Sequence, residues 1–150
     1  MNIETSDNKY SVFPQANDIY RVVAFVGSLI PNPNMSHFNF VRGDITSRQI
    51  HYYKAAAEYL GLLSKGTPSE LSNRLFKLEK NVLLISIMRI ILTSNCFYDY
   101  FKNQNDDNAI EYLMNNYSLS KVTAYRRLST IKSWCKWCHI IADENGITIE

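Results

Sequence analysis

Residues 118–138 of this chain, SLSKVTAYRRLSTIKSWCKWC, predict one long helix on which the rest of the fold depends. Ser120 suits the N-cap position, because its hydroxyl can accept a hydrogen bond from the first helical turn. At about 100° per residue, small and apolar side chains gather within about 60° of Ile131. They are Ala124, Leu128, Cys135 and Cys138. The stretch therefore predicts a helix that buries one face and both of its cysteines.

The opposite face of this predicted helix is polar and basic. Its outward residues are Val122, Tyr125, Arg126, Ser129 and Lys136, while Arg127 lies nearer the buried border. Between Tyr112 and Ala142 the chain has five basic residues and no Asp or Glu. Because the whole chain has a net charge of +2, the residues outside this segment have a net charge of −3. Such a local excess attracts phosphate, although a solvated basic face is the simpler alternative.

The end of the same stretch contains Cys135-x-x-Cys138-His139, which matches three known signatures. A c-type haem would need export and a second axial ligand, and thioredoxin-like chemistry would need a strand-to-helix turn. Neither context is evident in the sequence. A zinc site would need a fourth ligand, and Cys96 is the one other cysteine. We therefore expect reduced cysteines in the core, and a zinc protein, with about one zinc per molecule, is a third alternative.

A second long helix is predicted within residues 46–63, TSRQIHYYKAAAEYLGLL. Thr46 followed by Gln49 has the pattern of a capping box, which places the helix start at Thr46. Gly61 ends the helix. The face predicted to be buried comprises Ile50, Tyr53, Ala57 and Leu60, and the opposite face comprises Arg48, Tyr52, Ala55 and Tyr59, with His51 on its flank.

Shorter elements flank this helix in the order of a winged helix. Proline and glycine mark most of their boundaries, because neither residue continues a regular helix well. The elements are a helix over 15–30 that stops at Pro31, a short helix over 35–43 capped by Ser36, a Gly43-Asp44 turn, and two short strands over 62–72 joined by a turn of residues 66–69.

The second half of the chain repeats this order. Apolar segments over 73–104 predict connecting helices, and Asp106-Asp107 marks the start of another helix. Residues 139–150 predict two short strands around Asn145-Gly146, a dipeptide favoured in two-residue hairpin turns. When Thr46 is aligned with Ser120, the caps, core faces and outer faces of the two long helices coincide.

We therefore predict a mainly α protein with two winged-helix (helix-turn-helix) units, each with a short β-hairpin wing. The expected divisions are a flexible leader over 1–13, a first unit over 14–80, connecting core helices over 81–104, and a second unit with a C-terminal hairpin over 105–150.

The outer faces of the two long helices carry residue types suited to duplex DNA. A helix-turn-helix inserts the N-terminal half of its second helix into the major groove, where side chains reach base edges and nearby cations hold phosphates. In the first unit, Arg48 and Gln49 would read guanine and adenine, and His51 and Tyr52 would make edge or backbone contacts. In the second unit, the matching residues are Lys121, Thr123, Tyr125 and Arg126, with Arg127 and Lys132 available for phosphates.

Both long helices resemble the paired helix-turn-helix segments of a family associated with restriction-modification and related prokaryotic defence proteins. The resemblance covers about residues 15–142, and it implies a DNA-binding, target-recognition role. Ser72 departs from a wing threonine of that pattern, a glycine expected soon after is missing, and cysteines follow both tryptophans. The matching residues are Arg48, Gln49, Tyr52, Tyr53, Ala56, Tyr59, Leu60, Gly61 and Leu62, then Thr123, Ala124, Arg126, Arg127, Thr130, Trp134 and Trp137.

Motifs of the common enzyme classes are missing from the sequence. A restriction-type nuclease needs clustered acids and an E-x-K motif around a divalent metal, and no E-x-K occurs. A phosphate-binding glycine loop, H-E-x-x-H and G-x-S-x-G are also missing. We therefore expect neither an enzyme nor a cofactor.

The chain also lacks the sequence features of export and membrane insertion. Its first residues have no basic n-region followed by an apolar stretch, and the apolar run over 82–92 is interrupted by Ser86 and Arg89. These observations predict a cytoplasmic, nucleoid-associated protein without a membrane span.

Together, these patterns predict a non-catalytic, sequence-specific binder of double-stranded DNA. It would serve as a transcriptional regulator or as the target-recognition subunit of a restriction or defence system, as a homodimer or with a nuclease partner. The alternative is a winged-helix adaptor that binds protein instead of DNA, because an outward Tyr-rich face also suits a protein interface.

Overall fold

The computed structural model describes residues 1–6, 12–31 and 46–150. This part of the chain is mainly helical, which confirms the predicted mainly α class, and it contains one two-stranded antiparallel sheet. None of the described helices is long and apolar enough to cross a lipid bilayer. In chain order the elements are α1 (Ile19–Ser28), α2 (Ser47–Tyr59), β1 (Leu63–Ser64), β2 (Thr67–Pro68), α3 (Glu70–Leu75), α4 (Lys80–Leu92), α5 (Asn95–Asn103), α6 (Asp106–Tyr117) and α7 (Lys121–Glu144).

Local capping explains where the long helices begin. The Thr46 side chain accepts a hydrogen bond from the Gln49 N–H, and the Gln49 Oε1 atom accepts one from the Thr46 N–H at 3.0 Å. The predicted capping box is therefore confirmed. Ser120 caps α7 by accepting a hydrogen bond from the Thr123 N–H at 3.2 Å, which is also as predicted.

The hairpin after α2 is present, but its turn differs from the expected one. Leu63 pairs with Pro68 and Ser64 pairs with Thr67, so the turn consists of Lys65 and Gly66. These two residues have φ of 52° and 81°, as a two-residue turn requires. The turn expected over residues 66–69 is wrong, because Thr67 and Pro68 lie in β2 and Ser69 caps α3.

The second predicted hairpin is not formed, because α7 continues to Glu144. Gly146, with φ of 63°, is the first residue past the cap instead of a hairpin turn residue. The Gly146 N–H bonds to the Asp143 carbonyl and the Ile147 N–H bonds to the Ala142 carbonyl, which is a Schellman motif. Asn145-Gly146 therefore ends a helix, and no wing follows α7. Gly61 ends α2 in the same way.

Described residues on both sides of positions 7–11 contact the fold, and the flexible leader predicted over 1–13 stays a prediction. Ser6 pairs with Ser94, and its N–H donates to the Thr93 carbonyl at 2.7 Å. Phe13 is 3% exposed and packs in the core. The prediction missed these contacts because they join residues far apart in sequence. Residues 7–11 lie outside the described part, as does the short helix predicted over 35–43 with its Ser36 cap and Gly43-Asp44 turn.

An aromatic cluster around Trp134 forms the centre of the core. Trp134 is 0% exposed, stacks on Phe97 with 5.1 Å between ring centroids, and meets Tyr59 edge-on at 6.4 Å. Its indole N–H donates to the Ala16 carbonyl at 2.7 Å. Phe13 stacks on the same Phe97 ring. The cluster therefore joins α2, α5, α7 and the segment before α1.

The helix faces largely follow the predicted pattern. The face of α7 that carries Ala124, Leu128, Ile131, Cys135 and Cys138 is buried, as predicted. Tyr59 is an exception on α2: it was expected to point outward, but it is 6% exposed. Its ring lies in the aromatic cluster, and its hydroxyl is 2.9 Å from the Ser94 Oγ atom. The predicted unit boundaries stay predictions, while buried residues from both proposed units share one hydrophobic cluster.

Replacing Trp134 is expected to destabilise the fold strongly. Trp134→Phe keeps a ring against Phe97 but leaves the Ala16 carbonyl without its donor, so we expect a loss of about 1–3 kcal/mol in the free energy of unfolding. Trp134→Ala should cost about 3–5 kcal/mol. The measurement is urea denaturation followed by far-UV circular dichroism.

The matched control is Trp137→Phe, since Trp137 lies three residues further along α7 and is only partly buried. The free energy of unfolding should decrease less in this variant than in Trp134→Phe. Equal losses for the two variants would show that the buried indole and its hydrogen bond add nothing to stability.

Candidate nucleic-acid interface

The connection between α6 and α7 has the length of a helix-turn-helix. Three residues, Ser118 to Ser120, separate the two helices, and Ser118 adopts a left-handed conformation with φ of 53°. A turn of three or four residues is typical of this motif. Helices α5, α6 and α7 also pack against one another in all three pairs. The N-terminal half of α7 therefore extends from a compact three-helix unit.

The first turns of α7 expose three of the residues predicted to bind DNA. Lys121, Tyr125 and Arg126 are exposed, together with Val122 and Ser129. Thr123 is half-buried, and its hydroxyl lies 3.0 Å from the Ser120 Oγ atom, so it belongs to the helix cap. The exposed surface is therefore a mixture of cations and apolar side chains.

Arg127 occupies the border between this surface and the core, as predicted. Burial lowers the pKa of its guanidinium, the Tyr52 phenol raises it and the nearby Arg126 charge lowers it. Arg127 thus lies close to α2 as well as to its neighbour on α7.

On α2, the side chains of Arg48 and Tyr52 contact each other. The Arg48 Nε donates to the Tyr52 hydroxyl at 2.8 Å, and the guanidinium carbon lies 5.5 Å from the ring centroid. His51 is exposed, with its ring centroid 6.1 Å from that of Tyr52. Gln49 is half-buried and its amide oxygen is bonded to Thr46, so the bidentate adenine contact predicted for it would compete with the capping box.

Lys132 differs from the other predicted cations because it has an acidic partner. Its Nζ atom lies 3.4 Å from the Asp106 Oδ2 atom, and both side chains are about half exposed. The Tyr100 hydroxyl also donates to Asp106, and together with Lys132 it lowers the pKa of that carboxyl. Within the described residues this is the one ion pair, so Arg48, Lys121, Arg126 and Arg127 have no carboxylate partner there.

Two polar features near the interface were not found from the sequence. Asn17, just before α1, accepts a hydrogen bond from the Thr130 hydroxyl at 2.6 Å and donates to Ser129 at 3.4 Å. A groove of about 620 Å³ lies between α5 and α6, and its lining includes Asp99 and Glu111. Those carboxylates would repel phosphate, so the groove and the basic surface differ in charge. No local pattern marks either feature, because each joins separate elements.

The cysteines occupy the core, as predicted. Cys96, Cys135 and Cys138 are all buried and none forms a disulfide, and the Cys135 thiol donates to the Phe97 carbonyl at 3.3 Å. His139 lies within α7 and stacks on Phe101 at 3.8 Å, so it does not lead into a strand as expected. Among the residues described, no three His, Cys, Asp or Glu side chains are grouped so as to hold a metal ion.

The buried thiols are expected to be unreactive in the folded protein. Burial raises the pKa of both Cys135 and Cys138 well above the ordinary thiol value of about 8.5. At a pH of about 8.5, Ellman's reagent should therefore react slowly with the native protein and rapidly with all three thiols in guanidinium chloride. Rapid reaction of two thiols in the native protein would contradict this burial.

The same raised pKa values make stability depend on pH. The contribution of the two thiols to the free energy of unfolding is complete below the unfolded thiol pKa of about 8.5. It is lost as the pH rises above that value, because the unfolded chain then releases protons that the folded chain retains. The free energy of unfolding should therefore fall between neutral pH and a pH of about 9.5. Urea denaturation of Cys138→Ala, compared with the unchanged protein at both pH values, should show a smaller fall.

Comparison with known proteins places the chain in a family. No curated protein and no solved structure matches it. One family does match, and its description is a domain of unknown function, DUF7226. The match extends over residues 21–143, which include α2, the hairpin, the rings of Tyr59, Phe97 and Trp134, and nearly all of α7. The chain therefore belongs to the DUF7226 family.

Proposed function

We propose that this chain is a non-catalytic protein that binds double-stranded DNA in a sequence-specific manner through the N-terminal half of α7. The observation that carries the proposal is the exposed face of Lys121, Tyr125 and Arg126, which has no acidic partner among the described residues and directly follows a three-residue turn. A helix presented in this way fits the major groove, where its first turns reach base edges.

The surrounding architecture supports this proposal. In helix-turn-helix proteins the second helix is held by the first and by a third helix, and α5, α6 and α7 are packed in that manner. The resemblance of both long helices to paired helix-turn-helix segments agrees with this assignment. For the first unit, α2 followed by the hairpin of β1 and β2 supports a winged helix with one short wing.

Different residues of the surface suit different contacts. Arg126 and Lys121 are exposed cations near the start of α7 and suit guanine edges or phosphates. Arg127 is half-buried and so has a more restricted position, which suits a phosphate. Lys132 is paired with Asp106, so its contribution would be smaller than that of the unpaired cations.

A protein-binding adaptor is the second candidate function. Val122 and Tyr125 are 64% and 51% exposed, and exposed apolar side chains on one face are typical of protein interfaces. The same side chains also suit thymine methyl groups in a major groove. The unpaired cations around them favour DNA over protein.

The cellular role would be that of a transcriptional regulator or of a target-recognition subunit. In a homodimer, the second copy would bind the second half of a two-fold symmetric site. In a complex with a nuclease, the partner subunit would supply the cleavage activity. Either role agrees with a cytoplasmic, nucleoid-associated protein. Selection of preferred sites from random duplex DNA would reveal the symmetry and spacing of the target.

Binding to duplex DNA is expected to weaken steeply with salt. With a mixed-sequence duplex of about 20 base pairs, the slope of log K against log salt should become shallower by about 0.9 for each phosphate contact removed. Arg126→Ala should weaken binding and make the slope shallower by about 0.9, the value for one phosphate contact. Fluorescence anisotropy with a labelled duplex measures both quantities.

Arg89→Ala is the matched control, since Arg89 is an exposed arginine on α4. It should leave both affinity and slope unchanged. Failure of the unchanged protein to bind any duplex at low salt would reject the DNA-binding proposal and favour the adaptor.

A further inference from the structure

One face of α7 carries an exposed apolar pair near its N-terminal end. The side chains of Val122 and Tyr125 are 64% and 51% exposed, so at least half of each remains uncovered. Tyr125 follows Val122 by three residues and Arg126 follows it by four. Residues with this spacing are neighbours on one face of a helix. An apolar pair and a guanidinium therefore lie side by side on the surface.

Ser129 limits this surface at its C-terminal end. It is the next residue on the same face, but its hydroxyl donates to the Arg126 carbonyl at 2.7 Å and accepts a hydrogen bond from the Asn17 amide at 3.4 Å. The surface left for a ligand therefore runs from Val122 to Arg126. Four residues of α-helix rise about 6 Å, which is about two base-pair steps of 3.4 Å. Side chains at its two ends can reach adjacent base pairs.

The residue types indicate which base edges this surface would fit. The C5 methyl group of thymine is the apolar group that the major groove presents, and a side chain such as valine gains free energy by burying it. An arginine can donate two hydrogen bonds to the O6 and N7 atoms of guanine. Lys121 and Arg126 flank the apolar pair and have no carboxylate partner among the described residues. An apolar pair between unpaired cations is complementary to a methyl group between phosphates.

We infer that Val122 and Tyr125 bind the C5 methyl group of a pyrimidine in the major groove, while Arg126 binds the guanine of the adjacent base pair. Thymine and 5-methylcytosine carry this methyl group at the same place in the groove. The inference rests on the proposed function and adds that the chain selects a methyl-bearing pyrimidine beside a guanine. Its binding should therefore respond to cytosine methylation.

Removal of the methyl group from the DNA tests the first contact. The duplex recovered by selection from random DNA would be prepared once with thymine and once with deoxyuridine, which forms the same base pair but lacks the C5 methyl group. Fluorescence anisotropy should show binding weakened about fourfold for the contacted methyl group, the value for burying one such carbon. Replacing one thymine at a time identifies the base that is contacted.

Variants of the apolar pair connect this preference to α7. Val122→Ala and Tyr125→Ala should each reduce the preference for thymine over deoxyuridine and leave the salt slope unchanged, because no phosphate contact is lost. Val82→Ala is the matched control, since Val82 is an exposed valine on α4, and it should keep the full preference. An unchanged preference in both α7 variants would overturn the inference.

The second contact is tested with 7-deazaguanine, which lacks the N7 acceptor. Placed beside the identified thymine, it should weaken binding of the unchanged protein and have no effect on Arg126→Ala. Sensitivity confined to guanines away from that thymine would show that Arg126 does not bind the adjacent base pair.

Cytosine methylation separates the two sources of the methyl group. At the identified position, the thymine pair would be replaced by a cytosine–guanine pair, with and without a methyl group on cytosine C5. The methylated duplex should bind about fourfold more tightly than the unmethylated one. Equal affinities would show that the methyl group does not determine recognition and would overturn the inference.

The outcomes distinguish this inference from the proposed function. If no duplex binds at low salt, the proposed function fails, and this inference fails with it. If the thymine and deoxyuridine duplexes bind equally well, DNA binding stands and the methyl contact is wrong. Far-UV circular dichroism of each variant verifies that it is folded.

Discussion

The burial of Trp134 is the interaction on which the other parts of the structure depend. Its ring stacks on Phe97 of α5, meets Tyr59 of α2, and donates its N–H to the carbonyl of Ala16 before α1. Four separate segments therefore meet at one indole. A buried aromatic side chain contributes several kcal/mol of apolar burial, and here its polar group is also bonded. This contact sets the position of α7 relative to α2.

That position leaves one face of the first half of α7 exposed, while Ala124 and Leu128 on its other face are buried. Trp134 lies in the middle of the helix, and the exposed cations Lys121 and Arg126 lie about two to four turns before it. Asp106, at the start of α6, is engaged, because it is bonded to Tyr100 and Lys132. Lys121 and Arg126, at the start of α7, have no carboxylate partner among the described residues. In this protein the buried side chains of α7 and its exposed cations lie on different faces of the helix.

Local interactions were predictable from the sequence, and interactions between distant segments were not. The capping box at Thr46 and the cap at Ser120 involve residues three positions apart, and the buried face of α7 follows from helical periodicity. Asn145-Gly146 was misassigned because a hairpin turn and a helix C-terminus both require a residue with positive φ. The inward position of Tyr59 and the bond between Asn17 and Thr130 both depend on tertiary packing. Sequence patterns therefore identified the candidate residues, but the structure was needed to show which of them are exposed and which have partners.

The placement of the two tryptophans has an optical consequence. Both lie on α7, but Trp134 is enclosed by rings from α2 and α5, whereas Trp137 is only partly buried. Indole emission depends on the polarity and the aromatic neighbours of the ring, so the fluorescence of Trp134 reports on the junction between α2 and α7. The protein thus carries an intrinsic probe at the contact that orients its two long helices, and a ligand that shifts either helix would change the emission without any added label.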